Sequence, residues 1–223
     1  MEHNKTSVIF DLDGTLVDTA TDIKHALEKS MEKYRVEPID IKVFRKFIGK
    51  GSIFLINKTL ENSNIKLSRQ QKAELLKHFL KIYESNIDKY SKPYLGIVEC
   101  LKWLKKEKIK IGICTNKSEY LAKKLINNLK LNKFFHTIVG GDTISVRKPN
   151  PKHLTYTIEK MSALKSKTIM IGDSITDVQA AQNASLPVLV VNWGYTDIPP
   201  EELGGDLLVN SGKDLIFSIK KFL

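Results

Sequence analysis

Arginine is scarce in this chain: 4 residues stand against 32 lysines, within 36 basic and 25 acidic side chains that leave a formal net charge of +11. Arginine is the side chain that reads bases and phosphates bidentately. The lysines are spread over every polar helical face without aromatic interleaving, so the excess charge does not describe a nucleic-acid interface. It suits the steering of small anionic molecules toward a cleft, an effect that salt weakens. Cysteine is sparse too. Cys100 and Cys114 both lie in apolar contexts, which suits reduced core thiols better than a disulfide or a thiolate metal site. His3, His25, His78, His136 and His153 are scattered and suggest no zinc site. No apolar run reaches about 18 residues. Met1 to Thr6 is short and polar and leads directly into a strand pattern. Neither a membrane anchor nor a signal peptide is expected, and the expected location is cytoplasmic.

Short β-rich runs recur between helical patterns: Ser7–Phe10, Ile109–Cys114, Thr137–Val139, Thr168–Ile171, Pro187–Val191 and Leu207–Val209. Such alternation predicts an α/β fold, a parallel sheet covered by helices. The rhythm breaks between Thr19 and about Lys89, where only helical patterns occur, separated by Pro38, Gly49-Lys50-Gly51 and Ser63-Asn64. The first inserted helix carries Ile23, Leu27, Met31 and Tyr34 on one stripe, with Asp18 or Thr19 available as its cap. The last opens on Ser68-Arg69-Gln70-Gln71, a capping-box pattern. The expected division is a Rossmann-like core, residues 1–17 and 90–223, with an inserted helical cap domain, residues 18–89. Lys92-Pro93-Tyr94 marks the return, so the two crossings form a paired hinge.

Four polar clusters sit just beyond predicted strands, where open α/β sheets gather their ligands. Asp11-Leu12-Asp13-Gly14-Thr15 follows the run Val8-Ile9-Phe10. Residues two apart in an extended chain point to one side, so both carboxylates can face one centre, where they repel unless they share a cation or a proton. Asp and Gly after a strand are also ordinary turn residues. Thr115-Asn116-Lys117 precedes a helix starting near Ser118; it reads as a phosphate cradle or simply as an N-cap region. In Arg147-Lys148-Pro149-Asn150-Pro151 two prolines pin the backbone and aim Lys148, either at phosphate or at the Asp pair, though a plain Pro-started helix reads the same way. In Gly172-Asp173-Ser174-Ile175-Thr176-Asp177, Asp173 can reach a metal while Asp177 orients it or its waters, with helix capping as the alternative.

Taken together, Asp11-Leu12-Asp13-Gly14-Thr15, Thr115-Asn116, Lys148-Pro149-x-Pro151 and Gly172-Asp173-Ser174-x-x-Asp177 resemble the four motifs of the haloacid dehalogenase superfamily over nearly the full chain. The insertion after the first strand, Ile48-Gly49-Lys50-Gly51, and Gly140-Gly141-Asp142-Thr143 resemble the phosphoglycolate phosphatase branch. The resemblance implies a phosphatase with Asp11 as nucleophile, forming an aspartyl-phosphate, and Asp13 as general acid and then base. It implies Thr115 and Lys148 at the transferred phosphoryl group, with the backbone N–H groups of Leu12, Asp13 and Asn116 holding its oxygens. Mg²⁺ is the implied cofactor, held by Asp11, the Asp13 carbonyl and Asp173 with Asp177 alongside, since every candidate ligand is a hard oxygen. Arg45 and Lys50, flanking Gly49, are the candidates for a substrate carboxylate.

The expected partner is a small anionic phosphorylated metabolite, 2-phosphoglycolate first, with neither nucleic acid nor membrane, and the chain a monomer or homodimer. Nucleotide, sugar-phosphate and pyrophosphate phosphatases or a phosphosugar mutase of the same fold remain alternatives, as does a non-catalytic binding or regulatory protein. The family's usual glycine after Ala-Ala-x-x-Ala is Ser185 here. If that position needs φ > 0, the serine costs about 1 kcal/mol relative to glycine.

Overall fold

The computed structural model describes residues 5–34 and 36–223. All six expected strands form: β1 (Ser7–Phe10), β4 (Lys110–Cys114), β5 (Thr137–Val139), β6 (Thr168–Gly172), β7 (Val188–Val191) and β8 (Leu207–Val209). They make one parallel sheet in the order β5-β4-β1-β6-β7-β8. Alternation along the strands sends Val8, Phe10, Ile111, Ile113, Ile169 and Ile171 into one apolar layer. That layer is covered by α5 (Ile97–Lys106), α6 (Glu119–Asn128) and α9 (Leu215–Lys220). Ile9, Met170, Val188 and Val190 face the other layer, under α7 (Pro151–Lys160) and α8 (Ile175–Asn183). Burial on both faces explains why these strands read as continuous apolar runs. Cys100 and Cys114 are free and buried, and burial pushes both thiols up to about 12.

Phe10 of β1 is level with Ile113 of β4 on one side and with Ile171 of β6 on the other. This register sets Asp11 level with Cys114 and Gly172, so Thr115 and Asp173 stand one residue further along the same carboxyl edge, where the chain order changes direction.

The interval after β1 is helical, with α1 (Ala20–Met31), α2 (Ile41–Arg45), α3 (Ser52–Asn62) and α4 (Arg69–Ser85). Ile23, Leu27 and Met31 are buried against the neighbourhood of Leu75, Phe79 and Tyr83, and the Ser68–Gln71 capping box forms in both directions. The two crossings are joined by a feature that no periodicity could reveal, a two-residue antiparallel ribbon of β2 (Val17–Asp18) and β3 (Lys92–Pro93). Asp22 of α1 fastens the return crossing by accepting the N–H groups of Tyr90 and Ser91 and the Ser91 hydroxyl.

Thr19 stands at the N-cap of α1 as expected but without a capping bond from its own side chain, and Asp18 Oδ1 accepts the Ala20 N–H at 3.4 Å. The Thr19 hydroxyl donates to Asp13 instead. The Tyr195 hydroxyl oxygen accepts the Thr19 and Ala20 N–H groups at 2.7 and 3.0 Å. Ser185 does adopt positive φ, 51°, just past α8, where its own N–H and that of Leu186 close the helix on Gln182 and Ala181.

Candidate functional site

Asp11 leaves β1 with its N–H still bonded to the Ile171 carbonyl at 2.9 Å, so its backbone continues the sheet by one residue. The chain then turns sharply, with Gly14 donating to the Val17 carbonyl at φ +92°. Glycine is required there twice over. The dihedral is left-handed, and a Cβ would stand 2.3 Å from Asp173 Oδ2. Gly194 and Gly172 back the same carboxylates, since Cβ atoms at these positions would lie 2.1 Å from Asp173 Cβ and 2.4 Å from Asp177 Cβ.

Ligand atoms of Asp11, Asp173 and Asp177 lie within 4.8 Å of one another, all buried. Lys148 is buried among them and donates to Asp11 Oδ1 at 2.7 Å and to Asp177 Oδ1 at 2.6 Å. The other Asp177 oxygen accepts the Ser174 N–H and hydroxyl at the start of α8, so both oxygens of that carboxylate are committed. Asp173 accepts the Thr15 hydroxyl at 2.7 Å and the Tyr195 N–H at 2.6 Å.

Three carboxylates and one ammonium leave a buried excess of negative charge. Burial, against the opposing charge of Lys148, raises Asp11 to about 6. Burial and the neighbouring Asp11 and Asp177 carry Asp173 well above the ordinary carboxylate range. For Lys148 burial works the other way, but the two carboxylates outweigh it and hold the ammonium above its ordinary pKa. An all-oxygen, electron-rich cluster in which carboxylates resist ionising together is chemically suited to a hard divalent cation.

The Asp13 carboxylate stands outside that trio. Lys117 donates to both of its oxygens at 2.9 Å, and Thr19 adds a hydroxyl at 2.7 Å. Lys117 is also 4.7 Å from the centre of the Tyr83 ring of α4. Burial would lower the Lys117 pKa, but Asp13 and Tyr83 raise it overall. Thr115 is buried after β4, and its hydroxyl oxygen accepts the Lys117 N–H at 3.2 Å. Asn116 spans the boundary by donating from Nδ2 to the Gly49 and Lys148 carbonyls at 3.0 and 3.1 Å, which leaves its buried Oδ1 without a partner.

A cavity of about 120 Å³ lies between the sheet edge and the inserted helices. Asp11, Asp13, Thr115, Asn116 and Lys117 form its floor and side, and Ile48, Gly49, Leu55, Phe79 and Tyr83 its roof. The Leu12 side chain is buried in the core. The structure does not put Arg45 or Lys50 on this wall. Arg45 pairs with Asp18 at 2.8 Å and lies 5.5 Å from the Tyr195 ring centre, while Lys50 lies 3.5 Å from Asp197 and 5.2 Å from the Phe54 ring centre. Both therefore tie the insertion to the loop after β7.

Residues 8–191 match the profile of the haloacid dehalogenase-like hydrolases. This chain belongs to that family. The haloacid dehalogenase-like hydrolase is 37% identical to a phosphoglycolate phosphatase of Agrobacterium fabrum over 202 residues, 91% of this chain and 87% of the other. It is 39% identical to one of Mesorhizobium japonicum over 190 residues, 85% of this chain and 84% of the other. A crystal structure described as a predicted phosphoglycolate phosphatase from Haemophilus somnus superposes with a TM-score of 0.90 at 22% identity, covering 98% of this chain and 99% of that one. At that identity the likeness speaks for the fold alone.

Four residues of this hydrolase's site were not assigned from sequence. Lys117 adjoins the Thr115-Asn116 pair, so a signal was available. Thr15 closes the first motif and Thr19 is a cap candidate, but neither position signals that its hydroxyl bonds Asp173 or Asp13. Tyr195 gives no signal, because its partners lie 176 and 175 residues away. Among the described residues no helix is long and apolar enough to cross a membrane.

Proposed function

We propose that this hydrolase is a Mg²⁺-dependent phosphatase that cleaves a small phosphate monoester, 2-phosphoglycolate first, through an aspartyl-phosphate on Asp11. The observation that carries this reading is the placement of Asp11. Lys148 holds one of its oxygens inside an acidic cluster, and its carboxylate lines the same small cavity as Asp13. A carboxylate is a weak nucleophile but needs no separate base when ionised. An Asp11 oxygen attacks phosphorus as the ester P–O bond breaks, and Asp13 gives a proton to the departing alkoxide. Asp13 then takes a proton from water as it attacks phosphorus, returning the Asp11 carboxylate and inorganic phosphate.

Asp11, the Asp13 carbonyl and Asp173 would hold Mg²⁺, which supplies the charge neutralisation that lets a phosphate dianion approach a carboxylate. Asp177 serves this set through Lys148, since both of its oxygens are already bonded. Thr115 and the N–H groups of Leu12, Asp13 and Asn116 receive the phosphoryl oxygens. Residues 18–89 act as the cap, hinged at the ribbon, that excludes water during transfer. Drug-sized ligands fill pockets of roughly 300–1,000 Å³, so a cavity of about 120 Å³ favours a compact ester. The names of the Agrobacterium and Mesorhizobium relatives point to the same substrate.

The test is phosphate release, with Mg²⁺ and with a chelator, from 2-phosphoglycolate, nucleoside monophosphates, sugar phosphates and pyrophosphate. Mg²⁺-dependent release led by 2-phosphoglycolate is expected. Preference for another compound reassigns the substrate, and release from none of them removes the phosphatase reading.

A further inference from the structure

Lys117 carries the positive charge among the described residues that line the cavity. It is spent on the wrong partner for turnover. Its ammonium grips both oxygens of Asp13 at 2.9 Å, and the Thr19 hydroxyl takes one of them as well. The side proposed to serve the leaving oxygen is thus tied down. The pair is buried, with side chains 6% and 8% exposed, so neither charge can part from the other unless a new counter-charge enters.

The cavity leaves few places for that counter-charge. A phosphate seated at Asp11 would direct the rest of its ester toward the roof, where Ile48, Leu55 and Phe79 are apolar and the hydroxyl residues of the wall, Ser52 and Ser118, carry no charge. Arg45 and Lys50, bound to Asp18 and Asp197, do not line the space. An anionic group on that ester meets one cation, Lys117, which already touches the insertion through the Tyr83 ring.

We infer that Lys117 is the specificity-determining residue of this site: it binds a second anionic group on the substrate, a carboxylate, and exchanges Asp13 for it. The exchange releases Asp13 toward the leaving oxygen only when the correct ester is in place. An ester without a second charge binds more weakly and leaves Asp13 held. This assignment rests on the phosphatase reading and goes beyond it by naming the group that recognises the substrate.

The experiment compares 2-phosphoglycolate with ethyl phosphate, in which a methyl group replaces the carboxylate, on wild type, Lys117→Met, Lys117→Gln and Lys117→Arg. Thermal unfolding first establishes that each variant is folded. A charge-assisted hydrogen bond of the usual strength predicts that the ratio of kcat/KM for the two esters falls about 10- to 100-fold in Lys117→Met and Lys117→Gln and is largely restored in Lys117→Arg. Dissociation constants measured by titration calorimetry in an Asp11→Asn background should move by the same ratio. A ratio that stays put while both esters lose equally assigns Lys117 a structural role and overturns the inference. So does a wild type that does not prefer the carboxylate-bearing ester. Phosphate release from neither ester, or from any other phosphate, removes the phosphatase reading instead, and the calorimetric ratio then decides the Lys117 assignment.

Discussion

The Tyr195 hydroxyl oxygen lies 2.7 Å from the Thr19 nitrogen, so a residue of the loop after β7 caps the helix that opens the insertion. The same oxygen accepts the Ala20 N–H at 3.0 Å and donates to Asp18, while the Tyr195 N–H bonds Asp173 at 2.6 Å. One residue therefore couples an acid of the cation cluster to the first crossing of the hinge.

Tyr195→Phe removes the acceptor for two buried N–H groups and the donor to Asp18. The expected loss is about 1–3 kcal/mol, or on the order of 2–10 °C in Tm for a chain of this size. Denaturant titration followed by circular dichroism measures it. An unchanged midpoint would show that water substitutes for the hydroxyl and that the hinge does not depend on Tyr195.

The sheet and the four loops at its edge were legible because each is written locally: β-rich runs, prolines, and acids next to glycine. Phe10, Ile113 and Ile171 close the apolar runs that bring Asp11, Thr115 and Asp173 to one sheet edge, within a residue of the same height. What was not legible is pairing between distant positions. Arg45 and Lys50 flank a glycine turn and read as free cations, yet Asp18 and Asp197 claim them. Lys117, one residue beyond a recognised motif, is claimed by Asp13. Periodicity ranks which residues face inward; which charge meets which depends on the relative placement of the insertion and the sheet.

Asp11→Asn should abolish turnover and yet stabilise the metal-free protein. Burial raises the Asp11 pKa to about 6 from an ordinary 3.8. A raised carboxylate contributes its stability fully below 3.8 and loses it as pH climbs through 6, so at pH 7.5 the wild type carries the penalty of an ionised buried acid. The variant should exceed wild type by on the order of 1–3 kcal/mol in chelator at pH 7.5. The gap should close toward pH 4. Mg²⁺ should raise the wild-type Tm more than that of the variant. A variant less stable than wild type at pH 7.5 without metal would contradict the charge excess in the cluster, and retained turnover would exclude Asp11 as nucleophile.

Asp177→Asn breaks the ion pair with Lys148 while keeping the side chain's shape. It removes one of the two carboxylates that position the ammonium. Because that position lies one contact away from the reacting atoms, activity should fall about 10- to 100-fold rather than vanish. The loss should appear mainly in kcat, with a weaker apparent Mg²⁺ affinity. Steady-state kinetics at several Mg²⁺ concentrations separates the two. A complete loss would place Asp177 among direct ligands.

His153 supplies a pH test away from the acidic cluster. Fully buried, it accepts the Lys148 N–H on Nδ1 at 3.1 Å, and its Nε2 lies 2.9 Å from the Gly140 carbonyl, so the neutral ring pins the Lys148 loop to its neighbour. Burial, assisted by the Lys148 charge, lowers its pKa to about 4 from 6.5. A depressed histidine favours the folded state fully above pH 6.5, and that advantage drains away as pH falls toward 4, because the unfolded chain takes up the proton first. Other groups titrate over the same range, so the quantity to follow is wild type minus His153→Gln. That difference in unfolding free energy should be constant above pH 7 and shrink by on the order of 3 kcal/mol by pH 4. Guanidinium titrations of both proteins across this range give it directly, and a difference independent of pH would mean that the His153 ring takes up its proton at the same pH in the folded and unfolded chains, which would overturn the depressed pKa.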